Sequence, residues 1–390
     1  MRVIMLSGEY PPHMVGGLGK HVADLAPALS AEGIELHIIT PIQQDATSIT
    51  IEGDITVHRV LTVVDSETDI YAETVTINEQ LAAYALEWSP TQSCVIHVHD
   101  WLGSFAGISL QQAWQVPLVA TIHATERGRW HGQIDQSQSL QQAIDHADAN
   151  LVNQATRIIV CSHHMVNEIQ SFFGVPADKI EIIPNGTNFT KLLTSNKDLE
   201  AFRANYCSPE TVLIYTIARL VHEKGIHVLI EAMSHIFPHH PQTQLLIAGK
   251  GPNIDQLKQL THDLGIADHV TFLGFVSDAD RDQFFKIADL TVVPSLYEPF
   301  GIVALEAMAL GCPVVVSDTG GLSEVVEHQV SGLTVPPDNV SALSAAMMEI
   351  LTDPSKTEQY INEAKERVKT VFNWQQIARQ TIQVYQKVQG

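Results

Sequence analysis

Two glutamates separated by seven residues, Glu298 and Glu306, lie on either side of a predicted helix start in this chain of 390 residues. A Glu-Pro-Phe-Gly turn follows the apolar run 289–295 and leads directly into a helix-forming stretch. The N-terminus of a helix offers free N–H groups and the positive end of a dipole to an anion such as a diphosphate. We expect Glu298, which precedes the helix, to face a ligand. Glu306, about two turns along, would reach another part of it, although acidic residues near helix starts also serve as purely structural helpers.

Two cations follow another apolar run. Arg219 directly ends the run at 212–218, and Lys224 comes five residues later, beside Gly225. Two cations this close can neutralise a diphosphate leaving group, which is the work that metal ions do in other enzymes. Surface solvation is the alternative explanation for Lys224, but it fits Arg219 poorly because Arg219 terminates an apolar strand-like run.

A glycine-rich turn follows the first apolar run of the chain. Gly16, Gly17 and Gly19 precede a helix-like segment, so bare backbone can approach a phosphate or a sugar closely. The spacing is not the dinucleotide pattern G-x-G-x-x-G, and a plain strand-to-helix turn is an equally good interpretation.

A third group lies after the run 117–123. His123 ends that run, and Arg127 and Arg129 follow on the same loop. Residues 1–150 contain only five basic residues, so two of them on one loop suggest a local anion site as much as a solvated turn.

The elements that position these residues alternate along the chain. Short apolar, β-branched runs are separated by helix-like segments in both halves, which predicts parallel sheets with helices on both faces. The polar segment 184–202 is the predicted hinge. We predict an α/β fold of two doubly wound, Rossmann-like domains with a cleft between them. The domains span 1–190 and 191–370, and a C-terminal helix at 371–390 crosses back to the first.

Composition excludes several function classes. Hydrophobic residues make up 45% and charged residues 17%, and the formal net charge is −22. A chain this acidic would repel a nucleic-acid backbone or an anionic membrane surface. We therefore expect neither partner. No signal peptide or membrane-spanning run is recognisable, and a cytoplasmic location is expected. The oligomeric state stays open.

Cysteines and histidines give no metal-site spacing. The four cysteines are widely spaced and lack a C-x-x-C pair, and most of them lie in or beside apolar strand-like runs, as small buried hydrophobes do. His97, His99 and Asp100 form a cluster in sequence but lack further ligands at a supporting spacing. We therefore predict no metal site and no required cofactor.

Taken together, the quoted motifs resemble those of retaining glycosyltransferases of the GT-B fold. The closest likeness is to family 4 (group 1), which includes glycogen-synthase-like enzymes. It extends over essentially the whole chain and is most specific at 294–326. Starch and bacterial glycogen synthases carry a Lys-x-Gly-Gly motif near the N-terminus, and here Met14 occupies the lysine position. That departure leaves the donor base open.

The resemblance implies roles for individual residues. The predicted catalytic residues are His123, Arg219, Lys224 and Glu298. The predicted donor-binding residues are Gly16, Gly17, Arg219, Lys224, Glu298, Phe300, Gly301, Ile302, Val303 and Glu306. The predicted acceptor-binding residues are Lys20, Asp100, His123, Arg127 and Arg129. Arg219 and Lys224 would hold the diphosphate, Glu306 the ribose and Glu298 the transferred sugar.

The resulting hypothesis is a hexosyltransferase. It would move a hexose, in the first instance glucose from UDP-glucose or ADP-glucose, to a sugar or glucan acceptor. Transfer to a phosphorylated sugar, as by a sucrose-phosphate synthase, is the alternative within this class. A sugar-nucleotide epimerase and a non-catalytic binding module are the alternatives from other classes. The acceptor, the hexose and the linkage stay open.

Overall fold

The computed structural model describes residues 1–13, 16–65, 67–89, 93–135, 137–187 and 198–389. Met14 therefore lies outside the described residues, as do parts of the predicted hinge. The chain forms two compact units. Met1–Gly186 and Trp374–Gly390 make up the N-terminal unit, and Thr187–Asn373 make up the C-terminal unit.

The N-terminal unit contains an eight-stranded sheet in the order β3-β4-β2-β1-β5-β6-β7-β8. All neighbouring strands are parallel except β3, which pairs antiparallel with β4 at one edge. The central strands are buried on both faces, which explains why their sequences are continuous apolar runs. The strands are β1 Arg2–Leu6, β2 Glu35–Ile42, β3 Ser48–Glu52, β4 Ile55–Leu61, β5 Cys94–His99, β6 Leu118–Ile122, β7 Arg157–Val160 and β8 Ile180–Ile182.

Seven helices belong to the described part of this unit. They are α1 Gly17–Ala31, α2 Ile70–Leu86, α3 Ser104–Trp114, α4 Glu126–Arg129, α5 Ser139–Gln154, α6 His163–Phe173 and the C-terminal helix α15 Trp374–Gln389. Local sequence sets several of their ends: the side chains of Asp69 and Ser162 cap α2 and α6, and Gly174 ends α6 in the left-handed conformation.

The C-terminal unit contains a six-stranded, wholly parallel sheet in the order β11-β10-β9-β12-β13-β14. Its strands are β9 Val212–Ile217, β10 Thr243–Ala248, β11 Val270–Gly274, β12 Leu290–Val293, β13 Val314–Ser317 and β14 Leu333–Val335. Its helices are α7 Leu199–Ala204, α8 Ile226–Ile236, α9 Ile254–Asp263, α10 Asp278–Ile287, α11 Ile302–Leu310, α12 Leu322–Val325, α13 Val340–Thr352 and α14 Pro354–Val371.

Strand order places the sites in both sheets. In each sheet, successive strands are first added on one side of a central strand, and the next strand is then added on its other side. Where the direction changes, a crevice opens at the carboxyl ends of the two adjacent strands. These pairs are β1 and β5 in the N-terminal unit, and β9 and β12 in the C-terminal unit. The predicted fold class, two doubly wound parallel-sheet domains, is confirmed, and the cleft between the domains stays a prediction.

Two smaller predictions also have structural outcomes. The four cysteines are free thiols, and Cys94, Cys161 and Cys312 are buried, as their apolar surroundings predicted. Within the described residues, no helix is long and apolar enough to cross a membrane.

The C-terminal helix α15 packs into the core of the N-terminal unit. Trp374, Ile377 and Tyr385 belong to the same buried cluster as the central strands and α1. The Tyr385 hydroxyl forms a hydrogen bond of 2.7 Å with Nδ1 of His97, and both groups are fully buried. Burial raises the pKa of Tyr385, which stays protonated. The last helix is therefore held by a specific polar contact as well as by apolar area.

Replacing this buried hydroxyl should be costly. We expect Tyr385→Phe to lower the free energy of unfolding by about 1–3 kcal/mol, because it leaves His97 Nδ1 buried without a partner. Tyr84→Phe is the matched control, since Tyr84 makes the same kind of bond, 2.9 Å to His58 Nδ1, at a partly exposed position. Urea unfolding measures both, and equal losses would contradict a special cost for the buried pair.

Candidate functional site

In the C-terminal unit, the residues predicted to bind the donor meet at the ends of β9 and β12. Lys224 Nζ lies 2.8 Å from Glu298 Oε2, and both side chains are about four-fifths buried. The loop that carries Lys224 is tied to the loop that carries Glu298, because the Glu223 carbonyl accepts from the N–H groups of Leu296 and Tyr297 at 2.8 and 3.2 Å. Lys224 and Glu298, which were predicted separately from distant parts of the sequence, therefore form one ion pair.

Arg219 lies on the solvent-exposed side of this site. Its guanidinium forms an ion pair of 2.8 Å with Glu223 and is 58% exposed, far more than Lys224. An ion pair this exposed contributes little to stability, so Arg219 can exchange its partner for a ligand phosphate at small cost.

Helix α11 starts beside Glu298 with an uncapped N-terminus. Gly301 precedes the helix with a φ of 106°, and no side chain caps it. The backbone N–H groups from Phe300 to Val303, which were predicted to hold phosphate and sugar, therefore lie at the positive end of the helix dipole. An uncapped helix start of this kind is suited to an anion.

Glu306 is deeper than its neighbours. It is 2% exposed, and its Oε2 lies 3.5 Å from Nε of Arg281 on α10. The Arg281 guanidinium also contacts Asp278 and Asp282, and these carboxylates raise its pKa although burial lowers it. A buried carboxylate needs such a partner. Sequence reasoning missed Arg281, since an arginine on an acidic, polar helix has no distinguishing pattern.

Two glycines hold the Glu298 loop in place. Gly320 has a φ of 55°, and a Cβ built on it would lie 2.0 Å from the Glu298 carbonyl oxygen. The Gly321 N–H donates to that same oxygen at 2.9 Å. On the other side of the loop, a Cβ on Gly225 would lie 1.9 Å from the Pro294 carbonyl oxygen. Bare backbone at these positions lets the loops stack closely.

The N-terminal unit brings together another group at the ends of β1, β5 and β6. Asp100 is 8% exposed and adopts a φ of 54°. Its carboxylate accepts the His123 N–H at 2.6 Å. Burial raises the pKa of Asp100 to about 7, while the backbone N–H groups of His123 and Ala124 and the charge of Arg129 lower it. Asp100 thus orients the loop that carries His123.

His123 lies in a cluster of imidazoles. Its Nε2 is 3.1 Å from His99 Nδ1, and its ring packs edge-on against His21 with the centroids 4.6 Å apart. Burial lowers the pKa of His123 to about 4 and holds the pKa values of His99 and His21 well below their usual range, so these rings are neutral at pH 7. Of the two histidines in the sequence cluster, His99 offers a ring nitrogen to this group, whereas both ring nitrogens of His97 are engaged by Tyr385 and Thr121.

The remaining predicted residues on this side have partners within the fold. Arg127 forms a two-pronged ion pair with Asp145, at 2.9 and 2.5 Å, and donates to the Phe172 carbonyl at 2.8 Å. This geometry does not favour Arg127 as a ligand for a free anion. Lys20 forms an ion pair of 3.0 Å with Asp24 one turn along α1.

The glycine turn at α1 is more open than the glycines of the other unit. The Gly16 N–H donates to the Glu9 carboxylate at 3.0 Å, and a Cβ at Gly16 would meet nothing within 4 Å. Gly17 begins α1 and is exposed.

The close packing of Gly320 gives a testable prediction. A left-handed backbone alone costs an alanine about 1–2 kcal/mol. We expect Gly320→Ala to lower the free energy of unfolding by clearly more than this, because its Cβ would collide with the Glu298 carbonyl. Gly265→Ala is the control, since Gly265 has a φ of 68° but nothing within 4 Å of a Cβ. Urea unfolding compares them. An equal loss in both variants would show that the Glu298 loop yields easily.

Comparison with known proteins supports an assignment over the whole chain. Residues 15–191 match the model of a family described as Glycosyltransferase Family 4, and residues 199–367 match the model described as Glycosyl transferases group 1. An uncharacterized glycosyltransferase of Methanocaldococcus jannaschii is 34% identical over 99% of this chain and 98% of its own length. A glycogen synthase of Mycobacterium tuberculosis is 34% identical over 99% of this chain and 94% of its own.

Among solved structures, sucrose-phosphate synthase from Thermosynechococcus elongatus superposes with a TM-score of 0.84. It is 28% identical and covers 99% of this chain and 98% of its own. The two doubly wound sheets, the matched family models and the identity along full-length relatives lead to one conclusion: the chain is a glycosyltransferase of the GT-B fold and belongs to glycosyltransferase family 4.

Proposed function

We propose that this glycosyltransferase moves a hexose, in the first instance glucose, from a nucleotide-diphosphate sugar to a sugar or glucan acceptor with retention of configuration. One observation carries the proposal: the Lys224–Glu298 ion pair lies beside the uncapped start of α11, at the crevice of the C-terminal sheet. A cation, a helix N-terminus and a carboxylate side by side suit a ligand that has both phosphates and hydroxyls.

The diphosphate would be bound by charge that is scarce in this protein. The chain has a net charge of −22, so a surface chosen at random would repel a diphosphate. Arg219, Lys224 and the N–H groups at the start of α11 provide positive groups close together at this site. As the bond to the sugar breaks, the same groups would stabilise the charge that develops on the leaving phosphate.

The two glutamates would each bind a different sugar of the donor. Glu298 is partly exposed and would accept hydrogen bonds from hydroxyls of the transferred sugar. Glu306 is fixed by Arg281 and would accept from the ribose hydroxyls, which a rigid carboxylate can bind with little loss of side-chain entropy. Arg281 would act on the ribose only through Glu306, as a positioning residue.

His123 would serve the reacting centre and the acceptor side. Its ring is neutral, so it can exchange hydrogen bonds with a sugar hydroxyl without bringing a charge. Asp100 would hold the loop in place, and Lys20 and Arg129 would contribute positive charge. A phosphorylated sugar acceptor is the second candidate, because the similarity to sucrose-phosphate synthase extends over the whole chain.

Retention would arise from attack on the same face that the diphosphate leaves. Double displacement needs a carboxylate nucleophile on the opposite face, and Glu298 is already committed to Lys224. In same-face attack the departing phosphate oxygen takes the acceptor's proton, so the new glycosidic bond forms as the bond to the diphosphate breaks. The protein's part is to orient both substrates and to stabilise the leaving group.

We place this reaction in the cytoplasm. Free thiols at all four cysteines suit a reducing compartment, where nucleotide sugars would be available as donors.

A donor and acceptor panel tests the proposal. The purified chain is incubated with UDP-, ADP- and GDP-glucose, each with a glucan, glucose, fructose 6-phosphate or no acceptor, and products are analysed by NMR. We expect an α-linked product that requires an acceptor. A β-linked product would contradict retention, and conversion of the donor without any acceptor would favour the epimerase.

Lys224 should affect turnover more than binding. We expect Lys224→Ala to lower kcat about 100- to 1,000-fold, the range found when one charge-stabilising group is removed, while far-UV circular dichroism shows that the fold is kept. Lys258→Ala removes a lysine from α9 of the same unit and is the control. Near-normal turnover in Lys224→Ala would remove diphosphate stabilisation by this residue from the mechanism.

A further inference from the structure

Three histidines from separate elements converge in the N-terminal unit. His21 lies on α1, His99 ends β5 and His123 follows β6. One ligand nitrogen from each lies within 4.8 Å of the others. In the part of the chain that the structure describes, this is the only group of three or more histidine, cysteine or carboxylate ligand atoms that are close enough to share an ion.

We propose that His21, His99 and His123 form a binding site for Zn²⁺. Zinc binds imidazole nitrogen at about 2.0–2.1 Å, so two nitrogens on a tetrahedral ion lie about 3.3–3.4 Å apart. His99 Nδ1 and His123 Nε2 are already 3.1 Å apart. Only His21 has to approach, and the upper limit of 4.8 Å is within reach of a small ring rotation.

The surroundings of His21 prepare it as a ligand. Its Nδ1 lies 2.7 Å from Asn185 Oδ1, and because an amide oxygen only accepts, Nδ1 must carry the proton. The lone pair is therefore on Nε2, which is buried and has no hydrogen-bond partner among the residues that the structure describes. Metal-bound histidines show this arrangement, in which an outer oxygen fixes the ring. His21 is 4% exposed, so the orphaned nitrogen is not simply solvated.

The three nitrogen ligands determine which metal ions suit the site. Three imidazoles suit zinc and similar transition metals, whereas Mg²⁺ and Ca²⁺ prefer oxygen ligands. The nearby carboxylate of Asp100 is occupied by the His123 N–H. Three protein ligands leave one position of a tetrahedral ion for water or a substrate hydroxyl. His123 is partly exposed, which gives the ion a route of entry.

Zinc at this site would inhibit the enzyme. The ion would occupy Nε2 of His123, and so constrain the ring that is proposed to exchange hydrogen bonds with the sugar. This consequence rests on the proposed function, whereas the binding site itself does not.

Binding is measured on the full-length chain after treatment with a chelator. Zn²⁺ is titrated against a chromophoric chelator, and Co²⁺ is added in a parallel sample to report tetrahedral geometry through its visible absorption. We expect one ion per chain and a tetrahedral Co²⁺ spectrum. His21→Gln should weaken zinc binding by at least about tenfold, and Asn185→Ala, which removes only the outer oxygen, by about 10- to 100-fold.

His37→Gln is the matched control. His37 Nδ1 lies 3.1 Å from His58 Nε2, the same separation as in the His99–His123 pair, but this pair has no third ligand in the described residues. The control should bind zinc as tightly as wild type. Unchanged affinity in both His21→Gln and Asn185→Ala, or an equal loss in His37→Gln, would overturn the site. Zinc-dependent stabilisation against heat, present in wild type and control only, guards against variants that merely misfold.

Activity separates the two proposals. Zn²⁺ should inhibit wild type reversibly, and a chelator should restore turnover, while Mg²⁺ at the same concentration should have no effect. Zinc bound at His21 without inhibition would support the site and contradict the role of His123 in transfer. Inhibition that persists in His21→Gln would show that zinc acts elsewhere, against the site.

Discussion

The close approach of backbone to backbone at the ends of the strands in the C-terminal unit is the constraint on which the proposed donor site depends. Gly225 packs against the Pro294 carbonyl and Gly320 against the Glu298 carbonyl, at distances that leave no room for a Cβ. Three loops that are far apart in sequence are thereby stacked into one layer. The stacking brings Lys224 to 2.8 Å from Glu298 and leaves the start of α11 uncapped beside them.

Charge in this layer is arranged by burial. Glu306 is almost completely buried and is held beside Arg281, whereas Arg219 is more than half exposed beside Glu223. A buried carboxylate needs a fixed cation, while an exposed pair can open at little cost. The same sequence feature, an acid near a base, therefore gives a rigid carboxylate in one place and an exposed, exchangeable cation in the other, which suit the proposed ribose and phosphate contacts respectively. This difference is what a donor that must bind and leave requires.

The candidate site of the N-terminal unit differs, because its clustered polar groups are largely buried and neutral. Burial lowers the pKa of His123 to about 4 and raises that of Asp100 to about 7. Because both imidazoles are neutral, one ring nitrogen can donate a hydrogen bond to the other, as His99 Nδ1 and His123 Nε2 do over 3.1 Å. The proposed hydrogen bonding to sugar hydroxyls and the proposed coordination of a metal ion both use this neutral form, so the two would compete for His123.

The sequence by itself determined the alternation of strands and helices, hence the two doubly wound sheets, because buried parallel strands must be apolar and β-branched. It also proposed Glu298, Arg219, Lys224 and His123 as site candidates, since residues that follow strand ends face the crevice, and Glu306 as a candidate on the helix that follows. Only the tertiary structure decided their partners. It showed that Arg127 is engaged by Asp145, brought Arg281 to Glu306, and replaced His97 by His21 in the histidine cluster. Periodicity reports which face of an element is buried, but side-chain partners come from distant segments whose register no local pattern records.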